Sequence, residues 1–438
     1  MSPSASDLDR DDPGLPLHAD VVVVGGGAAG LATAVFIRRR SQLRVICLDG
    51  ARRIGAKILV SGGARCNVTN RVVTERDFWG GPSRVVRHVL RAFSAAQAAS
   101  FFEEIGVALH EEEDGKLFPD TNRSRTVLDA LLREFRRLGA ELHLEQRVVC
   151  LDRDMGGFVL QTMEGRMYYA SAVVIATGGR SLPKTGSDGL GYALTRHLGH
   201  RLVPTTPALV PLVLNGAWFA ALSGISHRVA ITITAAGRPS TRLEGPLLWT
   251  HFGVSGPVVL NASRHWCRAR LECGDVQTFL NVCPGETPES IDAWLRESRA
   301  LRPRAEVASI LGTRLPAAVA QVWMRLAGLD EGLALSHLSR EDRRRLARLL
   351  VESPLDVRDS RGYGFAEVTA GGVPLTEIDA ATMESRACPG LYLVGEILDV
   401  DGRLGGFNFQ WAWSSAWVAA RGVVRRFSQT GALAPANL

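Results

Sequence analysis

The segment DVVVVGGGAAG, residues 20–30, constrains the fold of this chain more than any other. Val21 to Val24 form a β-branched run suited to a strand buried on both faces, and a glycine-rich turn follows at once. Gly25, Gly27 and Gly30 take the GxGxxG spacing and open a helix through Leu31, Ala34, Val35 and Ile37. Gly25 permits the tight turn, Gly27 lets backbone approach a pyrophosphate, and Gly30 lets helix and strand pack closely. Ala28 and Ala29 lie at the helix start, where free N–H groups and the positive end of the helix dipole attract an anion. A second strand, LRVICLD, ends at Asp49, about twenty residues beyond Gly30, where a carboxylate can hold a ribose hydroxyl. Strand, glycines, helix, strand and terminal acid in this order predict a dinucleotide-binding unit. The uncharged run 21–37 is slightly short for a membrane span, and its central glycines fit strand, turn and helix better.

Composition sets the outer bounds. A chain of 438 residues, 46% hydrophobic and 22% charged, is an ordinary soluble globular sequence of two or three domains. Lys+Arg 51 against Asp+Glu 45 leaves a charge of +6, but the arginines are scattered, which reads as a basic solvated surface. Cysteines at 47, 66, 150, 267, 273, 283 and 388 form no CxxC pair and no zinc spacing. No metal and no disulfide framework are expected, and a reducing cytoplasm fits. Residues 1–18 are polar, acidic and proline-containing, and are expected to be a disordered tail.

The identity of the dinucleotide is decided further along. Where nicotinamide enzymes normally continue with another βαβ unit, this chain runs into GAKILVSGGARCNVTN, residues 55–70, too rich in Gly, Ser and Asn for a regular helix throughout. It reads as a loop of exposed N–H and amide groups able to follow a flavin dinucleotide. SAVVIATGG (171–179) is another buried strand, ending in Thr177, Gly178 and Gly179, and GLYLVGE (390–396) is a third, ending in Gly395 and Glu396. Strands that share this ending suggest one sheet whose C-terminal edge lines a crevice. The expected fold class is therefore α/β, with a glutathione reductase-type FAD-binding Rossmann domain.

Specific segments then carry a family resemblance. GAKILVSGGARCNVTN, LFPDTNRSRTVLDALL, ATGGRSLPKTGSDGLGYALTRHLGH, PALVPLVL, GPLLWTHFGVSGPVVLNAS, AEVTAGGVPLTEID and GLYLVGEILDVDGRLGGFNFQWAWSSA cover most of residues 19–425. In these the chain resembles bacterial NAD(P)/FAD-dependent oxidoreductases of the aminoacetone oxidase-like and bile-acid-reductase-like kind. One departure is Ala64, where that family often has a third glycine before Arg65-Cys66-Asn67. The resemblance implies an FAD domain over 19–199 and 360–427, an inserted β-barrel-like domain over 200–284 and 352–359, a small helical cap over 285–351, and a C-terminal tail over 428–438. Short β-rich runs in 200–284 and apolar positions at helical spacing in 285–351 agree with it.

Non-covalent FAD is the expected cofactor, with NAD(P)H as a transient reductant because no second fingerprint appears. Its expected contacts are Gly25, Gly27, Ala28, Ala29, Gly30, Asp49, Lys57, Gly62, Gly63, Arg65, Cys66, Asn67, Val148, Thr177, Gly178, Gly179, Gly395, Glu396, Gly405, Gly406, Phe407 and Asn408. Glu396 is placed at the ribityl or pyrophosphate region, with Lys57 and Arg65 neutralising pyrophosphate or orienting substrate. Gly405 to Asn408 begin a helix aimed at the flavin's pyrimidine edge. Cys66 lacks a partner cysteine and is read as packing beside the flavin. His251, Tyr363 and Arg65 are the catalytic candidates. The expected activity is hydride transfer between flavin and a small or medium, partly apolar molecule, either NAD(P)H-linked C=C reduction or dehydrogenation or amine-type oxidation with oxygen as acceptor, with no nucleic acid and no membrane partner. The alternative from another class is a flavin-containing RNA-modifying or RNA-binding protein.

Overall fold

The computed structural model describes residues 16–429, which fall into two compact units, one of residues up to 205 and from 368 onward and one of residues 206–367. In the first unit, four parallel strands lie in the order Glu141–His143, Val45–Leu48, Leu17–Val24 and Met167–Ile175, and Leu391–Leu393 joins the C-terminal half of the last. The N-terminal half of Met167–Ile175 pairs instead with Phe158–Thr162, which pairs antiparallel with Val148–Arg153. Val21, Val22 and Val23 are fully buried, as a strand covered on both faces requires. Register aligns Val24 with Ile175 and Ile175 with Leu393, so three strand ends stand level at one edge.

Helix Ala28–Arg38 covers the sheet beside the closing helix Phe407–Gln429. Ser414, Ser415 and Ala416 are wholly buried, small enough for the close helix contact their sequence suggests. Trp417 stacks edge-on against Phe36 with Arg40 over its ring at 3.6 Å. The aromatic tail of the chain is thus core: Trp411 and Trp413 are 2% and 1% exposed. The first strand begins at Leu17, inside the expected tail, and the closing helix runs to Gln429, past the expected boundary at 427. The remainder of both expected tails lies outside the described residues.

The second unit holds a seven-stranded antiparallel sheet in the order Ser353–Pro354, Val276–Asn281, Ser226–Ala235, Thr241–Thr250, Gly253–Ser255, Leu212–Leu214 and Val357–Ser360. Its two outermost strands are consecutive in sequence, separated only by Leu355 and Asp356, so the sheet curls until its edges meet through the chain. That makes it barrel-like with a seam. Helix Pro257–Cys273, in a stretch expected to be β-rich, lies against Ser226–Ala235 and Thr241–Thr250. It starts where Gly256, at φ +92°, breaks the strand and Pro257 takes the first helical position.

The helices Pro288–Leu301, Val307–Leu311, Ala317–Leu326 and Arg340–Val351 do not form a body of their own. Their apolar faces share one core with the sheet, because neither a curled sheet nor short helices can bury their apolar faces alone. At its centre Trp323, from a helix, meets Trp249, from a strand, with centroids 6.1 Å apart, and Trp218 lies edge-on to both. Trp323→Ala should cost about 3–5 kcal/mol. Hydrogen exchange should then speed up together in Ser226–Ala235 and Arg340–Val351; loss of protection in the helix alone would mean that the two layers fold separately.

Candidate functional site

The mouth of the parallel sheet is built from backbone. A Cβ on Gly25, at φ +103°, would lie 2.6 Å from the Ala176 carbonyl oxygen, and one on Gly30 would lie 1.9 Å from that of Gly25. A Cβ on Gly27 meets nothing within 4 Å. Two glycines are therefore needed for packing, while the third leaves an open face at the start of helix Ala28–Arg38. Ala29 closes the other side, since a Cβ on Gly395 would stand 2.9 Å from its own. Asp49, at the end of the second strand, accepts from the Gly26 and Ala51 N–H groups at 2.7 and 2.8 Å.

A charged clasp joins the strand ends. Lys57 Nζ is ion-paired with Glu396 Oε2 and donates to Ser181 Oγ at 2.6 Å. Glu396 Oε1 accepts from Ser181 Oγ at 2.8 Å and from the Thr369 N–H at 2.9 Å. Thr369 Oγ1 in turn accepts from the Arg180 and Ser181 N–H groups. Gly179 is required beside it, because a Cβ there would lie 2.5 Å from Thr369 Oγ1. Lys57 and Glu396 are thus committed to one another rather than standing as separate charges. Ser181 and Thr369 were missed as site residues, although both lie within segments that carry the family resemblance.

The glycine-rich loop is a short helix that breaks. Ala56–Ala64 is helical until Ser61, after which Gly62, Gly63 and Ala64 take left-handed φ values of 55°, 68° and 65°, and Cys66 a φ of 63°. The expectation that Ala64 departs from a glycine position holds at a left-handed residue, where a Cβ costs about 1–2 kcal/mol. Cys66 is fully buried, and burial pushes its thiol up to about 12, so it is a neutral packing group. Asn67 is buried and, with its amide turned, donates to the Thr69 and Leu117 carbonyls and accepts from the Gly406 N–H. Asn70 Nδ2 holds the Gly405 carbonyl at 3.1 Å, and Trp413 Nε1 donates to the Val68 carbonyl at 2.9 Å. The loop and the start of the closing helix are one construction.

Several expected contacts have other duties. Asn408 Oδ1 accepts from the Gly402 N–H and its Nδ2 donates to the Gly402 carbonyl, so its side chain fixes the turn before the helix. Phe407 is fully buried edge-on to Phe78, leaving only its backbone for a ligand. Arg65 pairs with Glu112 at 2.6 Å and stacks over Phe118 at 4.1 Å, and Glu112 is held below the usual carboxylate range chiefly by that hydrogen bond. Val148 is buried at a bulge in an antiparallel strand. His251 and Tyr363 belong to the second unit, the former exposed and the latter half-buried, whereas every other expected site residue belongs to the first.

One constellation is misleading. Ser385 Oγ, His200 and Glu377 form a chain with both links at 2.8 Å, in the order of a nucleophile, a base and an acid. Yet Ser385 is 4% exposed and its oxygen accepts from the Ala387 and Cys388 N–H groups, so the chain ties down a loop.

The residues of the sheet mouth fit an extended FAD. The open face at Gly27 and the start of helix Ala28–Arg38 admit a pyrophosphate. Thr177 Oγ1, just past the end of Met167–Ile175, and Ser187 Oγ, beside Gly178, are buried without a hydrogen-bond partner among the described residues, polar groups that a ligand can satisfy. No cluster of metal-ligating side chains and no helix long and apolar enough to cross a membrane occur among the described residues.

Comparison with known proteins agrees with this geometry. Residues 19–422 match the family described as HI0933-like protein Rossmann domain. The chain is 32% identical over 405 residues to the ribosomal RNA dihydrouridine synthase of Escherichia coli (strain K12), covering 92% of this chain and 98% of that one. It is 30% identical, with the same coverages, to the 3-dehydro-bile acid delta(4,6)-reductase of Clostridium scindens. The solved 3-ketosteroid delta1-dehydrogenase from Sterolibacterium denitrificans shares the fold, with a TM-score of 0.50 at 12% identity over 93% of this chain and 100% of that one.

Two measurements check the site. Glu396→Ala and Lys57→Ala should each lower the unfolding free energy by about 1.5–3 kcal/mol, the range for hydrogen bonds to a charged group. The double variant should cost clearly less than the two added together; strict additivity would mean that the pair does not interact. Cys66 should resist iodoacetamide at pH 8 in the folded protein while the more accessible Cys273 reacts. Because the unfolded chain releases the Cys66 proton near pH 8.5, roughly, and the folded chain near 12, the folded state binds more protons between those values, so this thiol's contribution to stability falls as pH rises through that window. A titration in which Cys66→Ala leaves the alkaline slope unchanged would contradict it.

Proposed function

The chain belongs to the family of HI0933-like Rossmann-domain proteins, and from that premise we propose that this FAD-dependent oxidoreductase reduces a carbon–carbon double bond conjugated to a carbonyl. The chemistry shared by the two relatives supports the reading. Dihydrouridine arises by adding two hydrogens across the uracil C5–C6 bond, which is conjugated to a ring carbonyl, and a delta(4,6)-reductase of a 3-dehydro bile acid saturates bonds conjugated to a ketone. Both substrates are alkenes made electron-poor at the carbon β to the carbonyl. Amine oxidation lacks such support.

Bound FAD, once reduced by NAD(P)H, would supply the hydride for that carbon. The chain's own residues hold and orient it: the Gly27 face and the helix start take the pyrophosphate, Asp49 a ribose hydroxyl, and Thr177 and Ser187 further polar atoms. The clasp of Lys57, Glu396, Ser181 and Thr369 keeps the strand ends at fixed spacing with no net charge beside the phosphates. Gly405 and Gly406 let the backbone approach closely at the start of the closing helix, where Asn67 accepts from the Gly406 N–H and Asn70 donates to the Gly405 carbonyl. The α-carbon also needs a proton, which an acidic side chain or water would donate. NAD(P)H binding transiently is the proposed reductant.

Purified protein should be yellow and release FAD on denaturation. Anaerobic NADH or NADPH should bleach it, and either a uridine-containing RNA or a 4-ene-3-ketosteroid should restore the colour without oxygen. Bleaching by simple amines, with neither alkene able to reoxidise the flavin, would sink the reading.

A further inference from the structure

Beside the closing helix, the first unit holds a cavity of about 220 Å³ that the proposed chemistry does not use. Helix Ser83–Ala92 supplies Arg87, Leu90 and Arg91 to its lining, on one face at i, i+3 and i+4 spacing. Val73 and Ala95 add apolar wall, and Gln410, 0% exposed, closes the inner end. Most polar groups around this space already have partners. Thr74 and Ser94 spend their hydroxyls in the capping boxes of the turn Glu75–Asp77 and the helix Ala95–Glu104. Gln410 Oε1 accepts from Thr69 Oγ1 at 2.6 Å, and its Nε2 donates to the Phe93 carbonyl and to Ser414 Oγ, each at 2.9 Å. Glu75 accepts from Arg87 at 2.6 Å, and that hydrogen bond is the main reason its carboxyl lies below the usual range. The pair is neutral. Arg91 has no carboxylate, carbonyl or ring partner among the described residues, so one positive charge is left over at the cavity.

A single unspent guanidinium beside aliphatic walls suits a monoanion with an apolar body. Inorganic phosphate would set a polar surface against Val73, Leu90 and Ala95, whereas a carboxylate takes the guanidinium fork in bidentate fashion and leaves its hydrocarbon for the walls. The cavity is smaller than a drug-sized site of about 300–1,000 Å³, so that body is short. We propose that this cavity binds a small aliphatic monocarboxylate, with its carboxylate on Arg91 and its chain against Val73, Leu90 and Ala95. The lining shares no residue with the expected flavin contacts, yet Gln410 donates its own N–H to the Gly406 carbonyl at 3.0 Å, in the turn that opens the closing helix. An occupant resting on Gln410 steadies that turn. The carboxylate is therefore an effector, not a substrate, and the site does not depend on which alkene the enzyme reduces.

The test is equilibrium dialysis of the FAD-loaded full chain against radiolabelled 4-methylpentanoate, with unlabelled 4-methylpentanamide, neutral and of the same shape, as competitor. The acid should be retained, and the amide should compete roughly 10-fold or more less well than unlabelled acid. Arg91→Gln should weaken the acid roughly 10- to 100-fold, the worth of a hydrogen bond between charged groups. Ala95→Phe should abolish retention by filling the space, whereas Arg84→Gln, exposed on the same helix but outside the lining, should bind as the parent does. Hydrogen exchange across residues 405–410 should slow roughly twofold or more when the acid is bound. No retention at millimolar acid, equal competition by acid and amide, or equal binding by the parent and Arg91→Gln would each overturn the site. Binding that Arg91→Gln weakens, with exchange at 405–410 unchanged, would overturn the effector role and leave the site standing.

Discussion

Backbone meets backbone at the mouth of the parallel sheet, and everything else in the first unit is arranged around that approach. The Gly25 carbonyl sits where a Cβ of Gly30 would be, and the Ala176 carbonyl where one of Gly25 would be. Any side chain at either position would push the first helix off the sheet and tilt its N-terminus away from the open face at Gly27. The closing helix depends on the same spacing, since Gly395 touches Ala29 and its N–H is held by Ser415 Oγ at 3.0 Å. Trp411 donates to the Gly395 carbonyl at 3.2 Å, so the last helix grips the strand end that the first helix approaches. The polar atoms here are satisfied by neighbours far away in sequence, which is why the arrangement is a property of the whole unit.

What was readable in the sequence follows from how local each signal is. The fingerprint is local: one strand, three glycines and a helix declare themselves by spacing, and the strand endings at Thr177 and Gly395 repeat the theme. The clasp is not local. Lys57 and Glu396 are 339 positions apart, and no pattern in either segment says that their charges neutralise each other. Asn408 shows the opposite difficulty: beside two glycines at a helix start it looks free to meet a ligand, but the turn at Gly402 has its own N–H and carbonyl to satisfy, and Asn408 is nearest. Phe407 looked available for the same reason, since composition cannot say which side of a helix faces the core. The stretch 285–351, expected as a helical cap from the resemblance and from its apolar positions at helical spacing, finds the partners of its apolar faces on the sheet.

Both units rest on large buried apolar side chains, Trp411, Trp413 and Phe36 in the first and Trp249 and Trp323 in the second. The first adds buried polar links between backbone and a few side chains, as in Thr69 Oγ1 donating to Gln410 and Gln410 donating to the Phe93 carbonyl and Ser414. Such networks specify one arrangement because each unpaired member would be costly. A cofactor site gains from these links, because they fix the positions of the backbone that lines it.

The seam of the curled sheet has a consequence for the life of the chain before it is loaded or assembled. An open sheet offers its outer strands to any other extended segment, and a large chain folding slowly is exposed to that hazard. Here the two outer strands are tethered by Leu355 and Asp356, one of them only Ser353–Pro354, with a proline that cannot donate, and the other carrying Arg358 and Asp359. Neither edge offers a long, uncharged strand for a second copy to extend. The insert is thereby guarded against joining its neighbours edge to edge while the rest of the molecule folds.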